Sequence, residues 1–288
     1  MDAKTGRREF LVGAVSAAAA TALAGCATGG GGCGACCAKD AAPAGALRIA
    51  HMGDPQFGFG SADGYSGDLK RFEAALELVE DLKPDAVFLA GDMTHDATKL
   101  ECDWPRLLRR IAAPVVAAPG NHDMGNTLSR ENLERFRRVF GCDRSALDVG
   151  GWRIVCGNSQ FWFPTGEAAE KARYEEWVDE QLSRGAALGG RLVLASHFPP
   201  FAHGIAEEDQ YWSHPKKGRA ERFARYVAAG ARFYLAGHTH SMLARAHDGI
   251  VVLNAETTCR NFDGRPFGFR MLTLQPDFTY TWDFHRVC

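Results

Sequence analysis

The sequence lacks an excess of either charge. Its 33 basic and 35 acidic residues give a formal net charge of -2, so it offers no broad cationic surface to a nucleic acid. It also lacks a long apolar segment near its N-terminus, where the apolar run spans 15 residues (10–24) and falls short of the roughly 20 that a membrane-spanning helix needs. With 46% hydrophobic and 24% charged residues among 288, the composition excludes a disordered or fibrous chain and predicts a globular, enzyme-sized body.

The nine cysteines lack the spacing of a zinc finger or a disulfide framework. Cys33, Cys36 and Cys37 lie together in a Gly-rich segment, where a redox or metal-binding pair remains an alternative. No strand-to-helix pattern surrounds them, so this composition favours a flexible tether over residues 26–46.

The N-terminus has the pattern of an export signal. Arg7 and Arg8 precede the short apolar run and resemble a twin-arginine signal. The run ends in Leu-Ala-Gly-Cys, which resembles a bacterial lipobox with Cys26 as the lipidated residue. We therefore expect residues 1–25 to be removed and the protein to be a periplasmic or cell-surface lipoprotein anchored in the membrane at Cys26; an ordinary N-terminal helix is the alternative.

From residue 47 to the end, strand patterns alternate with helix patterns, and hairpins follow late in the chain. This order predicts an α/β body of mixed sheets with helices outside. The predicted strands are 47–50, 86–90, 115–118, 192–195 and 233–236, with hairpins over 145–158, 244–254 and 269–284. The predicted helices are 68–82, 100–111 (interrupted by Pro105), 133–140, 167–182 and 219–228.

Five predicted strands end in clusters of polar residues that can bind metals. The clusters occupy residues 51–56, 91–96, 120–123, 196–200 and 237–240. Since ligands bind beyond the carboxyl ends of strands in α/β sheets, we expect these loops to meet at one site. Their carboxylate, amide and imidazole groups suit hard or borderline divalent metals, and the absence of cysteine from them argues against a closed structural zinc site.

This ordered set of loops resembles the calcineurin-like metallophosphoesterase superfamily, over residues 47–288. The resemblance implies two mixed β-sheets packed face to face with helices outside, in a four-layer sandwich, and a dinuclear metal site at the strand ends. It also implies the ligands of two divalent ions, with Mn, Fe, Zn or Mg all open. The first metal site would be Asp54, Asp92 and His240, and the second Asp92, Asn121, His197 and His238.

By the same resemblance, His122 is catalytic and binds phosphate or protonates the leaving oxygen, a role that suits imidazole. Many similar enzymes orient this histidine with a carboxylate three residues after the bridging Asp. Here His95 holds that position and Asp96 follows it, so both remain candidate orienting partners.

Gln56 departs from the superfamily's usual Asp-x-His motif. The Asp-Pro-Gln variant is associated with a subset of the superfamily, some described as serine/threonine phosphatases. An amide oxygen is a weaker ligand than imidazole, so we expect Gln56 to bind weakly or through water and to favour exchangeable Mn or Mg at the first metal site.

The resemblance implies a metal-dependent phosphoric ester hydrolase that uses a metal-activated water. A phosphomonoesterase acting on protein or small-molecule phosphates is slightly preferred over a phosphodiesterase acting on cyclic nucleotides or lipid head groups. A noncatalytic metal- or phosphate-binding lipoprotein is the next alternative, and an adhesion or scaffolding lipoprotein the last. The long loop 198–218 is predicted to set substrate selectivity, although packing accounts better for most of its aromatic residues.

Overall fold

The computed structural model describes residues 45–60 and 62–287. The predicted export signal, Cys26 and most of the predicted tether lie outside this part of the chain. Within it, no helix combines the length and apolar character needed to cross a membrane.

The described residues form eleven strands and five α-helices. In chain order they are β1 Leu47–Met52, α1 Gly64–Leu82, β2 Ala86–Leu89, α2 Leu100–Leu108, β3 Val115–Ala117, α3 Arg130–Phe140, β4 Ser145–Val149, β5 Trp152–Cys156, α4 Ala168–Ala186, β6 Leu192–Ala195, α5 Arg219–Ala228, β7 Phe233–Ala236, β8 Leu243–His247, β9 Ile250–Asn254, β10 Gly268–Leu274 and β11 Tyr280–Arg286. Short 3₁₀ helices occupy Ala97–Lys99 and Ser159–Trp162.

The strands form two mixed sheets, as expected. The five-stranded sheet has the order β11-β10-β1-β2-β3, with β1, β2 and β3 parallel. The six-stranded sheet has the order β4-β5-β6-β7-β9-β8, with β5, β6, β7 and β9 parallel and antiparallel strands at its two edges. Parallel strands place their carboxyl ends at one edge of each sheet, where the polar loops begin.

Alternating side chains of the strands divide the core into two apolar clusters, one between the sheets and one under the helices. On β2, Ala86 and Phe88 pack in the cluster between the two sheets, together with Trp152 and Phe233 of the six-stranded sheet. Val87 and Leu89 pack instead in the cluster under the helices. Because successive side chains of a strand point to opposite faces, short apolar runs cover both faces, and the result is the predicted four-layer sandwich.

Helix boundaries differ from the sequence predictions by a few residues at several ends. The first helix begins at Gly64 instead of residue 68. The third begins at Arg130 instead of residue 133, where the Ser129 side chain accepts a hydrogen bond from the backbone N–H of Asn132 and caps the helix. The second helix continues through Pro105 and ends at Leu108. The carbonyl that loses its partner belongs to the exposed Glu101, so water can satisfy it.

Candidate metal centre

Loops that follow β1, β2, β3, β6 and β7 bring the predicted ligands together in a buried cluster. The backbone N–H of His238 donates to both carboxylate oxygens of Asp54 at 2.9 Å, which joins the two sheets. His197 Nε2 lies 3.5 Å from Asp92 Oδ1. The five loops therefore converge on one site, as the sequence predicts.

Two overlapping groups of side chains have the geometry to hold a metal ion. One consists of Asp54, Asp92 and His240, and the other of Asp92, His197 and His238, with the ligand atoms of each group within 4.8 Å of one another. Asn121 adds an amide oxygen 3.1 Å from His197 Nε2. Asp92 belongs to both groups, so its carboxylate stands where two cations would share a ligand.

Each histidine of the cluster has one ring nitrogen next to a main-chain oxygen. The three pairs are His197 Nδ1 with the carbonyl of Ala90 at 2.7 Å, His238 Nε2 with that of Tyr211 at 2.9 Å, and His240 Nδ1 with that of Arg260 at 2.7 Å. A carbonyl can only accept, so each of these nitrogens carries the proton and the opposite nitrogen is left with its lone pair. A backbone acceptor of this kind fixes the tautomer of a metal-binding histidine.

Burial keeps these imidazoles neutral. It lowers the pKa of His197 to about 3 and the pKa of His238 well below its usual value. Burial also lowers the pKa of His240. Neutral rings are the form that binds metals.

The carboxylates of the cluster lack protein cations. Burial, reinforced by the negative charge of Asp92, raises the pKa of Asp54 well above its usual range. The same two causes raise the pKa of Asp123 to about 8. No lysine or arginine of the described residues pairs with Asp54 or Asp92, so buried negative charge here is left for a bound cation to compensate.

Backbone strain concentrates in the same loops. Five of the nine non-glycine residues with positive φ in the described ranges belong to the cluster: Asp54, Gln56, Asp92, His238 and His240. Such conformations cost energy and are typical of functional sites.

Glycine allows the loops to approach one another. A side chain at Gly237 would place its Cβ 2.5 Å from Asp54 Oδ2. One at Gly120 would overlap the carboxylate of Asp92. The glycines that precede the ligands are therefore required for close contact between the loops.

Gln56 is buried beside the cluster, and its backbone N–H donates to the carbonyl of Asp92 at 2.7 Å. Its side-chain oxygen, Oε1, has no hydrogen-bond partner among the described residues. An unsatisfied buried acceptor is costly, and a cation would satisfy it. This atom and the surrounding oxygen and imidazole ligands fit hard or borderline divalent ions.

His122 follows Asn121 at the rim of the cluster. Its backbone N–H donates to Asp92 Oδ1 at 2.9 Å, and its Nδ1 lies 3.1 Å from the main-chain oxygen of His95. The two imidazole rings also lie 4.6 Å apart. The contact that orients His122 is thus the backbone of His95, whereas the Asp96 carboxylate accepts hydrogen bonds from Thr98 and caps the following 3₁₀ helix.

Two structural roles near the cluster were not predicted from the sequence. Asp123 accepts hydrogen bonds from the backbone N–H groups of Met93 and Gly120, so it ties the loops after β2 and β3 together. Its position in the Gly-Asn-His-Asp motif is the available signal. The second role belongs to the main-chain carbonyl of Tyr211, which accepts a hydrogen bond from His238 Nε2. The sequence gives no signal for it, because every residue type carries a carbonyl.

The long loop 198–218 combines packing with exposure. Phe198, Phe201 and His214 are buried, so the packing expected for most of its aromatic residues holds for half of them. Tyr211 and Trp212 are 59% and 37% exposed, and Trp212 lies 6.0 Å from the ring of Phe262, which is 46% exposed. Among the described residues these three are the large hydrophobic side chains that remain exposed, and they surround the mouth of the cluster.

Comparison with known proteins identifies the fold and the chemistry. The Calcineurin-like phosphoesterase family model matches residues 47–242. The chain belongs to this family. Its members depend on a dinuclear metal centre, and the protein is accordingly a hydrolase acting on phosphate esters.

Relatives within the family differ in the activity that their names state. The chain is 30% identical over 246 residues to the human serine/threonine-protein phosphatase CPPED1, covering 77% of this chain and 78% of the relative. It is 26% identical to a probable cyclic nucleotide phosphodiesterase of Psychrobacter arcticus, covering 68% and 71%. A dimetal phosphatase from Danio rerio has the same fold, with a TM-score of 0.58, 12% identity and coverage of 84% of this chain and 98% of that one.

Proposed function

We propose that the protein is a phosphoric monoester hydrolase, with Asp54, Asp92 and His240 at a first metal site and Asp92, Asn121, His197 and His238 at a second. The observation that carries this proposal is that two ligand groups share Asp92 and that no lysine or arginine of the described residues neutralises it. Two divalent cations held there would activate a water molecule and offset the charge of the phosphate. Gln56 is proposed as an additional weak ligand of the first metal site through its unpartnered Oε1.

His122 is proposed as the catalytic acid. Its Nδ1 donates to the carbonyl of His95, so Nε2 is the nitrogen available to the substrate. A protonated ring keeps the proton on Nδ1, hydrogen-bonded to this carbonyl, and gives the Nε2 proton to the departing oxygen. The contact with His95 holds the ring in place during that transfer.

The monoester is preferred because the more similar relatives are named serine/threonine-protein phosphatases. A phosphodiesterase is the second candidate, favoured by relatives that are named probable cyclic nucleotide phosphodiesterases. Mono- and bis-(p-nitrophenyl) phosphate distinguish the two when the full chain is assayed with Mn, Mg, Zn or Fe added and its metal content is measured. Hydrolysis of the bis-ester alone would contradict the monoesterase; two bound metals without hydrolysis of either ester would favour a binding protein.

The protein is further proposed to be exported through the twin-arginine route and anchored by a lipid on Cys26. The support is the order of Arg7, Arg8, the apolar run and Cys26 in the sequence. Mass spectrometry of the N-terminus of the membrane fraction should find Cys26 as the first residue, carrying acyl chains. Cys26→Ser should remove the lipid, and an uncleaved N-terminus in the parent protein would contradict the proposal.

A further inference from the structure

A small cavity lies beside the candidate metal centre, with Asn121 of the cluster and Tyr211 of the mouth in its wall. It encloses about 280 Å³, and its wall includes Asn121, Phe198, Tyr211, Gln160 and Phe163. We call it the passage. Since Asn121 is a ligand in the proposed second metal site, the passage reaches that site.

A larger cavity adjoins the passage, with Phe163 and Pro164 in the wall of both. It encloses about 1000 Å³, and Trp162, Ala168 and Pro215 make much of the remaining wall apolar. We call it the outer pocket. Sites for drug-sized ligands occupy roughly 300–1,000 Å³. The two cavities together are therefore larger than the space that a small alcohol, as the leaving group of a phosphate ester, would need.

Cationic side chains line part of the outer pocket. Lys171 and Lys217 belong to its wall, and neither ammonium group makes an ion pair with a described residue. Arg222 is also in the wall, but its guanidinium donates to the carbonyls of Pro215 and Lys217 and lies 4.6 Å over the ring of Trp162. The two lysines therefore remain available to an anionic group.

One carboxylate shares this wall with the lysines. Asp209 lines the outer pocket and accepts a hydrogen bond from the backbone N–H of Lys216. Set against Lys171, Lys217 and Arg222, it leaves the pocket with an excess of positive charge. This excess attracts a negatively charged ligand.

The passage offers a hydrogen-bond donor. Gln160 is 6% exposed, and its side-chain Nε2 has no hydrogen-bond partner among the described residues. A buried amide N–H without an acceptor is costly. A carbonyl group of a ligand lying in the passage would satisfy it.

We propose that the passage and the outer pocket bind the residues that flank a phosphoserine or phosphothreonine in a peptide. This inference rests on the proposed phosphomonoesterase. The peptide carbonyl next to the phosphorylated residue accepts a hydrogen bond from Gln160 Nε2. An apolar side chain contacts Trp162 and Phe163, and an acidic side chain meets Lys171 and Lys217.

The test compares phosphoserine peptides of one length that differ at the flanking positions. In the first series Leu and Glu are placed on either side of the phosphoserine, in the second Leu and Lys, and in the third two alanines. The kcat/KM of each series is compared with that of p-nitrophenyl phosphate. The full chain should favour the Leu-Glu series, with kcat/KM about threefold to tenfold above that of the Leu-Lys series, because individual exposed ion pairs are weak.

Substitution of both lysines connects this preference to the outer pocket. The double variant Lys171→Ala with Lys217→Ala should bring the kcat/KM ratio of the Leu-Glu to the Leu-Lys series to about one, through KM more than kcat. The double variant Lys171→Glu with Lys217→Glu should reverse the preference. Lys70→Ala is the matched control, since Lys70 is an exposed lysine on α1 that lines neither cavity. A preference that survives both double substitutions would overturn the inference.

Gln160→Leu tests the passage separately. It should lower kcat/KM for all three peptide series relative to p-nitrophenyl phosphate, and an unchanged ratio would count against the inference. If the full chain hydrolyses no phosphomonoester with any metal, the proposed function fails and the inference fails with it. If it hydrolyses p-nitrophenyl phosphate but selects nucleotides or small dianions over acidic peptides, the inference alone fails.

Discussion

His238 Nε2 donates a hydrogen bond to the main-chain oxygen of Tyr211 at 2.9 Å, which connects a proposed metal ligand to the middle of the loop 198–218. The loop thus orients the ligand as well as lining the passage. Anything that displaces this segment is expected to alter metal binding together with substrate binding.

The partly buried carboxylate of Glu207 holds this loop in place. It accepts hydrogen bonds from the backbone N–H groups of Ala202, His203 and Gly204 and from the hydroxyl of Ser213. Burial opposes ionisation, but these hydrogen bonds outweigh it and lower the pKa of Glu207 from 4.5 to about 2.

We expect Glu207→Gln to destabilise the fold at pH 7 by about 1–3 kcal/mol, because the NH₂ group of the new amide would face backbone N–H groups and leave them without an acceptor. Since the folded-state pKa is lowered, the stabilisation is present above pH 4.5 and is lost as the pH falls towards 2. Urea unfolding of both proteins should therefore show a difference at pH 7 that shrinks at pH 3. An equal difference at both pH values would contradict this role, and Glu208→Gln, at an exposed neighbour, is the control.

Gln56→His should tighten the first metal site. Histidine tolerates the positive φ of 35° at this position, and imidazole is a stronger ligand than an amide oxygen. A gain of about 1.4 kcal/mol would appear as roughly tenfold higher affinity. The metal retained during titration with a chelator measures this gain in affinity. Gln275→His is the control, because Gln275 follows β10 beside the start of β1, at the end of the sheet opposite the cluster. Unchanged retention would show that residue 56 does not bind the metal.

Asp92→Ala should lose both metals, because the residue belongs to both ligand groups. Activity should fall by at least about 10²-fold, the loss that follows removal of a single transition-state contact. Elemental analysis and p-nitrophenyl phosphate hydrolysis are the measurements. Asp81→Ala, an exposed position on α1, should leave both values unchanged, whereas two metals retained in Asp92→Ala would exclude a bridging role.

His122→Ala should retain the metals and lose on the order of 10²- to 10⁴-fold in kcat. The ring contacts the site from its rim and belongs to neither ligand group. The loss should be smaller for leaving groups of low pKa, which need less help from an acid. His203→Ala, an exposed histidine, provides the comparison, and a uniform loss across leaving groups would argue against acid catalysis.

Sequence patterns predict the elements whose ends carry strong local signals. The bounds of β6, β7 and α5 agree with the predicted 192–195, 233–236 and 219–228. The predicted hairpin over 269–284 stops two residues short of the end of β11 at Arg286, and Phe278, which extends its apolar pattern, lies in the turn with a φ of 67°. Tertiary contacts decide such ends, and a local pattern does not contain them.

The meeting of the candidate ligands could be predicted because motifs such as Gly-Asn-His-Asp (120–123) and Gly-His-Thr-His (237–240) combine residue types that can bind metals with tight turns. Their backbone partners could not be predicted, since a carbonyl is independent of residue type. The unpartnered amide of Gln160 likewise depends on which neighbours lie within reach in the fold.

The acceptors of the three histidines proposed as ligands are peptide groups, so no single side-chain replacement deletes one of them. Residues 90, 211 and 260 can change identity and still present the same oxygen while the chain keeps its path. An insertion or deletion between residues 198 and 211 would instead move the oxygen and let the imidazole at position 238 rotate. For this segment, the number of residues matters more to the metal centre than their composition.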